Sequence, residues 1–244
     1  MPLLLFAVSF VVLWLSAQIG VKIRSAHPDE PEEFGVVLGA TLTLLGLIIG
    51  FTFSMAVSRY DQRKNYEEEE ANAIGTEYVR ADVLPAAGAA NVRSLLSRYL
   101  DQRILFYTTR DSRELAHTDD VTARLQAELW SAVQVPASAQ PSPVIALAVS
   151  GMNDVLNSEG YTQAAWRNRI PVEGWALMVV IAVCANLLLG YGLRQSKTRT
   201  TLLFVLPLML SVSFFLIADI DSPRRGLILV SPENLISLSH SLHH

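Results

Sequence analysis

The chain has 244 residues, of which 51% are hydrophobic, with 19 basic and 23 acidic side chains and a mean hydropathy of +0.32. The charged residues avoid four stretches completely, so the chain has one composition suited to lipid and another suited to water. This pattern excludes a purely soluble enzyme and a disordered chain. The single cysteine, Cys184, excludes a disulfide scaffold, and the net charge of −4 gives no reason to expect a nucleic-acid partner.

The four uncharged stretches predict four transmembrane helices, at residues 2–21, 34–58, 174–193 and 200–218. A bilayer core about 30 Å thick requires about 20 apolar residues in a helix, and each stretch is close to that length. The first stretch could instead be a cleaved signal peptide. No Lys or Arg precedes it and no small-x-small cleavage site follows its apolar run, so we predict an uncleaved span.

Residues 59–171, between the second and third spans, predict a helical soluble insert. No proline separates the second span from Leu84, so Phe34–Leu84 is predicted to be one helix much longer than the bilayer is thick. On this helix the run Glu67–Glu70 could bind a divalent cation, but it favours a solvated helix face.

Further helices are expected in the rest of the insert. Pro85 and the small residues 86–90 predict a stop, after which Asn91 is the expected N-cap of the next helix. Asp119 or Asp120 is the expected N-cap of another. The proline-rich residues 136–143 predict a break before a last helix, at 144–156.

The last 26 residues, 219–244, predict a C-terminal tail that opens with an acidic turn at residues 219–226. Asp219 and Asp221 follow an apolar run, so their carboxylates need water, a cation or an arginine. Pro223 is expected to end the helix and Gly226 to permit a sharp turn. The turn is either a solvated helix end or packs near two basic residues of the second-span extension, Arg59 and Arg63.

The distribution of Lys and Arg predicts the membrane orientation. Seven flank the spans on the side of the N-terminus and five lie in the opposite loops, which favours cytoplasmic termini and a cytoplasmic insert. The basic hairpin at residues 194–199 argues the other way.

The sequence contains no recognisable catalytic arrangement. None of its histidines has a metal-ligand spacing with Cys or with a helical carboxylate, and there is no phosphate-binding glycine loop and no nucleophile elbow. We therefore expect a protein that is not an enzyme and that has no metal site and no cofactor.

The second span contains two pairs of glycines four residues apart, Gly35 with Gly39 and Gly46 with Gly50. Glycines let helix backbones approach closely within lipid, so this span is expected to be surrounded by other helices. Those helices could belong to the same subunit or to other copies around a symmetry axis.

Several motifs resemble bestrophins. Gly50-Phe51, followed by Ser58-Arg59-Tyr60 on a helix leaving the membrane, is similar to the bestrophin pore-lining helix. The acidic turn is similar to the bestrophin acidic-x-acidic-x-Pro-x-Gly segment, with one residue inserted. The segments Glu70–Thr76 and Ile217–Leu227 most resemble those of the bacterial bestrophin-like membrane family. That family is distantly similar to bestrophin ion channels.

The resemblance implies an all-α, bestrophin-like membrane protein: a homopentameric channel for an inorganic ion in the lipid bilayer of the bacterial inner membrane, with the second span around the axis. Two departures weaken the transfer of ion preference and calcium gating. Thr52 stands where many bestrophins have a basic residue, and the long acidic calcium clasp of animal bestrophins is missing.

In such a channel, a stripe of residues on the second span is expected to line the pore. Ile48 would form a dry collar that gates by dewetting, in place of a phenylalanine ring. The alternatives are that these residues pack in the subunit's own core and that the protein is a non-conducting scaffold or sensor whose soluble block binds a partner. The expected pore-lining residues are Ala40, Leu44, Ile48, Thr52, Met55 and Arg59.

Overall fold

The computed structural model describes residues 2–26, 34–193 and 197–242. Within these ranges the chain forms eight α-helices and a short 3-10 turn, Ala81–Val83, that follows the second helix. The helices are α1 (Pro2–Ala26), α2 (Phe34–Arg80), α3 (Ala86–Thr108), α4 (Ser112–Ala139), α5 (Pro143–Arg167), α6 (Val172–Gly192), α7 (Lys197–Asp221) and α8 (Glu233–Leu242).

The prediction of an all-α fold with four membrane-spanning helices is confirmed. Among the described residues, four helical segments are long and apolar enough to cross a membrane, and they include α1, the first part of α2, α6 and α7. These helices extend past the predicted spans at most ends because polar residues continue the same hydrogen-bonded turns. Residues 27–33, in the loop between the first two spans, and residues 194–196 of the predicted hairpin lie outside the described residues.

Helix α2 is continuous over 47 residues, or about 70 Å. It contains no proline, and the chain leaves it through the 3-10 turn and the extended residue Leu84, next to Pro85.

The chain divides into two compact units. The membrane unit comprises residues 1–59 and 169–228, and the soluble unit comprises residues 60–168 and 229–244, so α2 contributes residues to both.

In the membrane unit, α1 packs against α6 and α7. The contact between α1 and α6 is close because each helix places a glycine there. A Cβ atom added to Gly20 would collide with the carbonyl oxygen of Leu187, and one added to Gly190 would collide with that of Ala17. Ser16 also donates a hydrogen bond to the carbonyl of Val183 at 2.7 Å. Small residues therefore bring these two helices together inside one subunit.

The soluble unit has an apolar core built from α3, α4, α5, α8 and the end of α2. A buried ion pair lies in this core. Glu70 on α2 accepts hydrogen bonds from Arg103 Nε and from the hydroxyls of Tyr107 (3.2 Å) and Thr162 (3.3 Å), and both charged side chains are 0% exposed. The carboxylate thus joins α2 to α3 and α5. Burial acts to lower the pKa of Arg103, but Glu70 and the neighbouring Tyr99 and Glu159 raise it above the ordinary value.

The prediction that Glu67–Glu70 forms a solvated face is wrong for two of the four residues. Glu67 and Glu70 are buried, whereas Glu68 and Glu69 are exposed. Residues three apart share a helix face, so the two buried acids point into the soluble unit together. Glu67 caps α8: it accepts hydrogen bonds from the backbone N–H of Leu235 at 3.0 Å and from Asn234 Nδ2 at 2.6 Å.

The expected helix starts in the insert are also wrong. Asn91 lies inside α3, which begins directly after Pro85, because proline suits a helix start and the alanine-rich residues 86–90 are good helix formers. Helix α4 begins at Ser112, where the Asp111 side chain accepts a hydrogen bond from Arg113 N at 2.7 Å. The predicted caps Asp119 and Asp120 lie within α4.

The break before the last helix of the insert is shorter than expected. Pro136 lies inside the last turns of α4, which ends at Ala139, so most of the proline-rich segment 136–143 is helical. Ser142 caps α5 by accepting a hydrogen bond from Ile145 N at 3.2 Å. Helix α5 then continues to Arg167, well past the predicted end at residue 156.

Removing one side of the buried ion pair should destabilise the protein. We expect Arg103→Ala to lower the free energy of unfolding by about 3–5 kcal/mol, because it leaves the Glu70 charge buried without its main counter-charge. Chemical denaturation followed by circular dichroism measures this. The control is Arg98→Ala, which breaks an exposed pair with Glu128 (3.8 Å) and should cost less than about 1 kcal/mol. Equal losses in the two variants would contradict the role given to Glu70 and Arg103.

Candidate functional site

One face of α2 is buried within the membrane unit and the opposite face is open. Leu45, Thr52 and Ala56 are the buried positions, with Thr52 only 7% exposed. Successive residues of a helix are rotated by about 100°, which places Leu47 and Phe51 on the other side. Leu47 is 53% exposed and Phe51 is 65% exposed. An apolar face of this size has no cover from the described residues of its own subunit.

The glycines of α2 lie on the open side and its flank. A Cβ atom added to Gly35, Gly39, Gly46 or Gly50 would meet no atom of the described residues within 4 Å. This differs from Gly190, where an added Cβ would collide with the α1 backbone. The four glycines are therefore not required for packing inside the described subunit.

The predicted pore-lining residues do not share one environment in the structure. Ala40, Leu44 and Met55 are exposed, and Ile48 is half-buried. These four positions lie on the open side of α2 or at its edge, next to Leu47 and Phe51. Leu47 and Phe51 were not among the residues predicted from the sequence, although each directly follows a glycine of the pair Gly46 and Gly50.

Thr52 and Arg59 point toward their own subunit. The Thr52 hydroxyl donates to the carbonyl of Ile48 at 2.7 Å, and Arg59 Nη1 lies 3.5 Å from Asp221 Oδ1. Within the subunit neither side chain reaches the open face of α2, and that these two residues line a pore stays a prediction. A step of four residues advances about 40° beyond a full turn, so a stripe followed from Ala40 reaches the buried side by Thr52.

The acidic turn at the end of α7 is a closed hydrogen-bonded structure. Asp219 is 1% exposed, and its carboxylate accepts hydrogen bonds from the backbone N–H of Leu227 (2.8 and 2.9 Å) and of Ile228 (2.8 Å). A solvated helix end, one of the two expectations for this segment, is wrong for this residue. The Asp219 carboxylate binds the chain that leaves the membrane unit.

Asp221 connects the same turn to α2 and to the start of α6. Its carboxylate accepts hydrogen bonds from the backbone N–H of Ile170 (3.3 and 3.2 Å) and pairs with Arg59. Arg169 donates to the Asp221 carbonyl. Burial lowers the pKa of Arg169, and the Asp221 charge acts in the opposite direction. Arg63, the other basic residue expected near the turn, is a buried residue of the soluble unit.

Pro223 and Gly226 shape the turn in different ways. Helix α7 ends at Asp221, two residues before Pro223. A Cβ atom on Gly226 would lie 2.5 Å from the Asp219 carbonyl oxygen and 3.1 Å from Asp219 Oδ2, and its φ is not positive. Gly226 lies in the turn as expected, and glycine is needed there because a side chain would collide with Asp219.

The geometry of the acidic turn leaves little capacity for a cation. The carboxylates of Asp219 and Asp221 are occupied by backbone N–H groups and Arg59. Across residues 2–26, 34–193 and 197–242, no group of three or more His, Cys, Asp or Glu is positioned to hold a metal ion. The arrangement fixes three chain segments to one another.

Comparison with known proteins identifies the family of this chain. The family model of the bestrophin-like domain matches residues 3–235. No curated protein matches the sequence. Among solved structures, a bacterial bestrophin homologue from Klebsiella pneumoniae is similar in fold, with a TM-score of 0.72 and 13% identity over 97% of this chain and 96% of that chain.

Two further structures have the same fold. A point mutant of the Klebsiella pneumoniae homologue gives a TM-score of 0.72 and 12% identity over 96% of each chain. A structure described as a membrane protein gives a TM-score of 0.71 and 13% identity over 97% of this chain and 96% of that chain. At these identities the likeness concerns the fold alone.

Removing the Asp219 carboxylate should loosen the acidic turn. We expect Asp219→Ala to lower the free energy of unfolding by about 2–4 kcal/mol, because it leaves the N–H groups of Leu227 and Ile228 without their acceptor. Thermal unfolding and protease cleavage near Leu227 measure this. The control is Asp61→Ala, which removes an exposed acid and should leave both unchanged. If Asp219→Ala is as stable as the wild type, the carboxylate does not hold the turn together.

Proposed function

This chain belongs to the bestrophin-like family and is a membrane protein, and we propose that it forms a homo-oligomeric ion channel, most simply a pentamer, with α2 around the central axis. The observation that carries the proposal is the open face of α2. A helix of the membrane unit presents apolar side chains and four glycines to surroundings that the described residues of its own subunit do not fill.

Two environments can cover such a face, and they favour different residues. Lipid tails favour bulky apolar side chains and gain nothing from glycine, whereas a neighbouring helix gains from the close approach that glycine allows. Gly39, Gly46 and Gly50 therefore support contact with α2 of an adjacent copy. Contacts in a five-fold ring are heterologous, so five copies would place the glycine flank of each α2 against the other flank of α2 in the next copy. The remaining open face would be left toward the axis.

On this proposal the pore is lined by the open face of α2. Ala40, Leu44 and Met55 remain in the lining, and Leu47 and Phe51 join them. Exposed apolar side chains at successive turns form rings in a pentamer, and apolar rings gate by dewetting instead of binding the ion. Ile48, at the edge of the face, contributes less to the constriction than Phe51.

The remaining assignments follow from the same proposal. The permeant species is an inorganic ion and the setting is the lipid bilayer of the bacterial inner membrane, with the termini and the soluble unit in the cytoplasm. No cofactor, catalytic group or nucleic-acid partner enters the mechanism. The acidic turn holds the start of α6 and the end of α7 against α2, so it is a positioning element of the pore wall.

The direct test is ion flux across liposomes that contain the purified protein. A cation- or anion-sensitive dye reports flux after an ion gradient is imposed, and empty liposomes are the reference. Flux that requires the protein supports the channel. Absence of flux for both signs of ion, with oligomers present in the membrane, would replace it with the non-conducting scaffold.

The side of α2 that carries the four glycines predicts that a substitution there affects assembly but not folding of the subunit. We expect Gly46→Leu to leave the subunit fold intact but to lose the oligomer, because the side chain projects into space that only a neighbouring copy would occupy. Cross-linking and particle size in detergent measure assembly. The matched variant Gly190→Ala should instead destabilise the subunit itself, because its Cβ collides with Ala17. A normal oligomer in Gly46→Leu would contradict contact through this flank.

The open face predicts a constriction at Phe51. We expect Phe51→Ala to raise ion flux several-fold by widening the apolar ring, with a smaller rise for Ile48→Ala. Leu45 is buried, so Leu45→Ala should cost about 2–5 kcal/mol of stability without raising flux per assembled channel. If all three variants assemble and none changes flux, α2 does not form the pore wall.

A further inference from the structure

Three acidic residues lie along the buried side of α2 within the soluble unit, and they differ in their hydrogen bonding. Glu67 caps α8 and Glu70 pairs with Arg103. Glu77 is also 0% exposed, yet neither of its carboxylate oxygens has a hydrogen-bond partner among the described residues. A buried ionised carboxylate without a donor is strongly unfavourable, so this side chain requires an explanation.

The Glu77 carboxyl lies against a glycine of α5. A Cβ atom added to Gly151 would collide with Glu77 Oε2 and with Arg80 Nη1. The missing side chain lets the α5 backbone close over the carboxyl group. Because the backbone N–H groups in the middle of a helix are already paired, α5 offers the carboxyl shelter but no donor.

Two charged groups face this carboxyl from the elements around it. Arg80 is on α2 itself, and Asp154 is on α5, three residues beyond Gly151. Arg80 Nη1 lies 4.0 Å from Asp154 Oδ2, so the guanidinium is shared with the second acid. No ion pair joins Arg80 to Glu77 among the interactions of the described residues. Arg80 thus offsets the Glu77 charge only in part.

These surroundings favour the neutral acid. Burial raises the pKa of Glu77 to about 8, Arg80 acts to lower it, and Asp154 acts to raise it. Removal of the proton would leave a charge inside the contact between α2 and α5. Such a charge is relieved when the helices separate enough to admit water.

We propose that Glu77 is a proton-binding site that couples pH to the packing of α2 against α5 in the soluble unit. A proton from water binds one carboxylate oxygen and holds the contact closed, and its release to water opens the contact. The site stands independently of conduction. If α2 lines a pore, however, the same equilibrium makes channel opening depend on pH.

The sign of the effect on stability follows from linkage. The carboxyl has its ordinary pKa in the unfolded chain and a raised one in the folded protein, so folding takes up a proton between these two values. The stabilisation is therefore complete at low pH, is lost as the pH rises toward about 8, and changes no further above it. The pH at which the loss levels off gives the pKa of Glu77 in the folded protein.

The test uses the thermal midpoint of the full chain in detergent, measured from pH 5 to pH 9. We expect the wild-type midpoint to fall toward pH 8 and then level off, and Glu77→Gln to remove that part of the fall. Glu69→Gln, an exposed acid on the same helix, is the matched control and should retain the wild-type profile. Identical profiles for wild type and Glu77→Gln would overturn the proposal.

Two neighbouring variants test the location of the proton. Asp154→Asn removes a charge that raises the pKa of Glu77 and should move the levelling-off to lower pH. Arg80→Gln should move it to higher pH. Shifts in the same direction, or no shift in either variant, would overturn the assignment to Glu77. If one variant does not fold, the absence of the expected shift in the other is enough to overturn it.

A second measurement separates this inference from the proposed channel. Flux through liposomes is compared at pH 6 and pH 9 for wild type and Glu77→Gln, and we expect a pH-dependent change of at least two-fold only in the wild type. If the wild type shows no flux at either pH, the channel proposal fails while the thermal profile still decides the proton site. Flux with the same pH dependence in both proteins would overturn the coupling to conduction.

Discussion

The open face of α2 is the constraint on which the rest of the structure depends. A helix can bury only the side that contacts its neighbours, and in the membrane unit that side carries Leu45, Thr52 and Ala56. The other side carries glycines and large apolar residues that the described part of the subunit leaves uncovered. Lipid alone gives no reason for glycine at these positions, so the face is suited to contact with identical copies.

Charged groups fix the segments around this helix, and they do so inside the protein. Asp219 accepts hydrogen bonds from the backbone N–H groups of residues 227 and 228, and Asp221 accepts one from that of residue 170. Carboxylates therefore hold the chain after α7 and the start of α6. Hydrogen bonds to an ionised acceptor are stronger than those between neutral groups. The long acidic calcium clasp of animal bestrophins is missing from the sequence, and the two acids that remain here, Asp219 and Asp221, hold backbone N–H groups.

The sequence predicts the helices of this protein better than the directions of their side chains. Uncharged stretches of bilayer length identify the spans, and the absence of proline identifies α2 as one helix. The predicted pore stripe does not stay on one side of α2, because steps of four residues drift around a helix, from the open side at Ala40 to the buried side at Thr52. The short helix α8 was missed, although Leu235, Leu238 and Leu242 have helical spacing after Pro232.

The direction of the α2 glutamates was also predicted incompletely, and their spacing shows how it could have been found. The run Glu67–Glu70 suggests a solvated face when the four residues are considered together, but Glu67, Glu70, Ile74, Glu77 and Ala81 recur at steps of three and four, which is the spacing of one buried stripe. A buried stripe that contains three acids needs a separate source of compensation for each of them.

The three buried acids receive three different kinds of compensation. The N-terminus of α8 supplies donors to Glu67, and Arg103 supplies a counter-charge to Glu70. For Glu77 the adjacent helix supplies only the space left by Gly151. A carboxyl group that has shelter but no donor is most stable when it carries its own proton, so the same stripe that holds α2 in the soluble unit contains one position where that hold depends on pH.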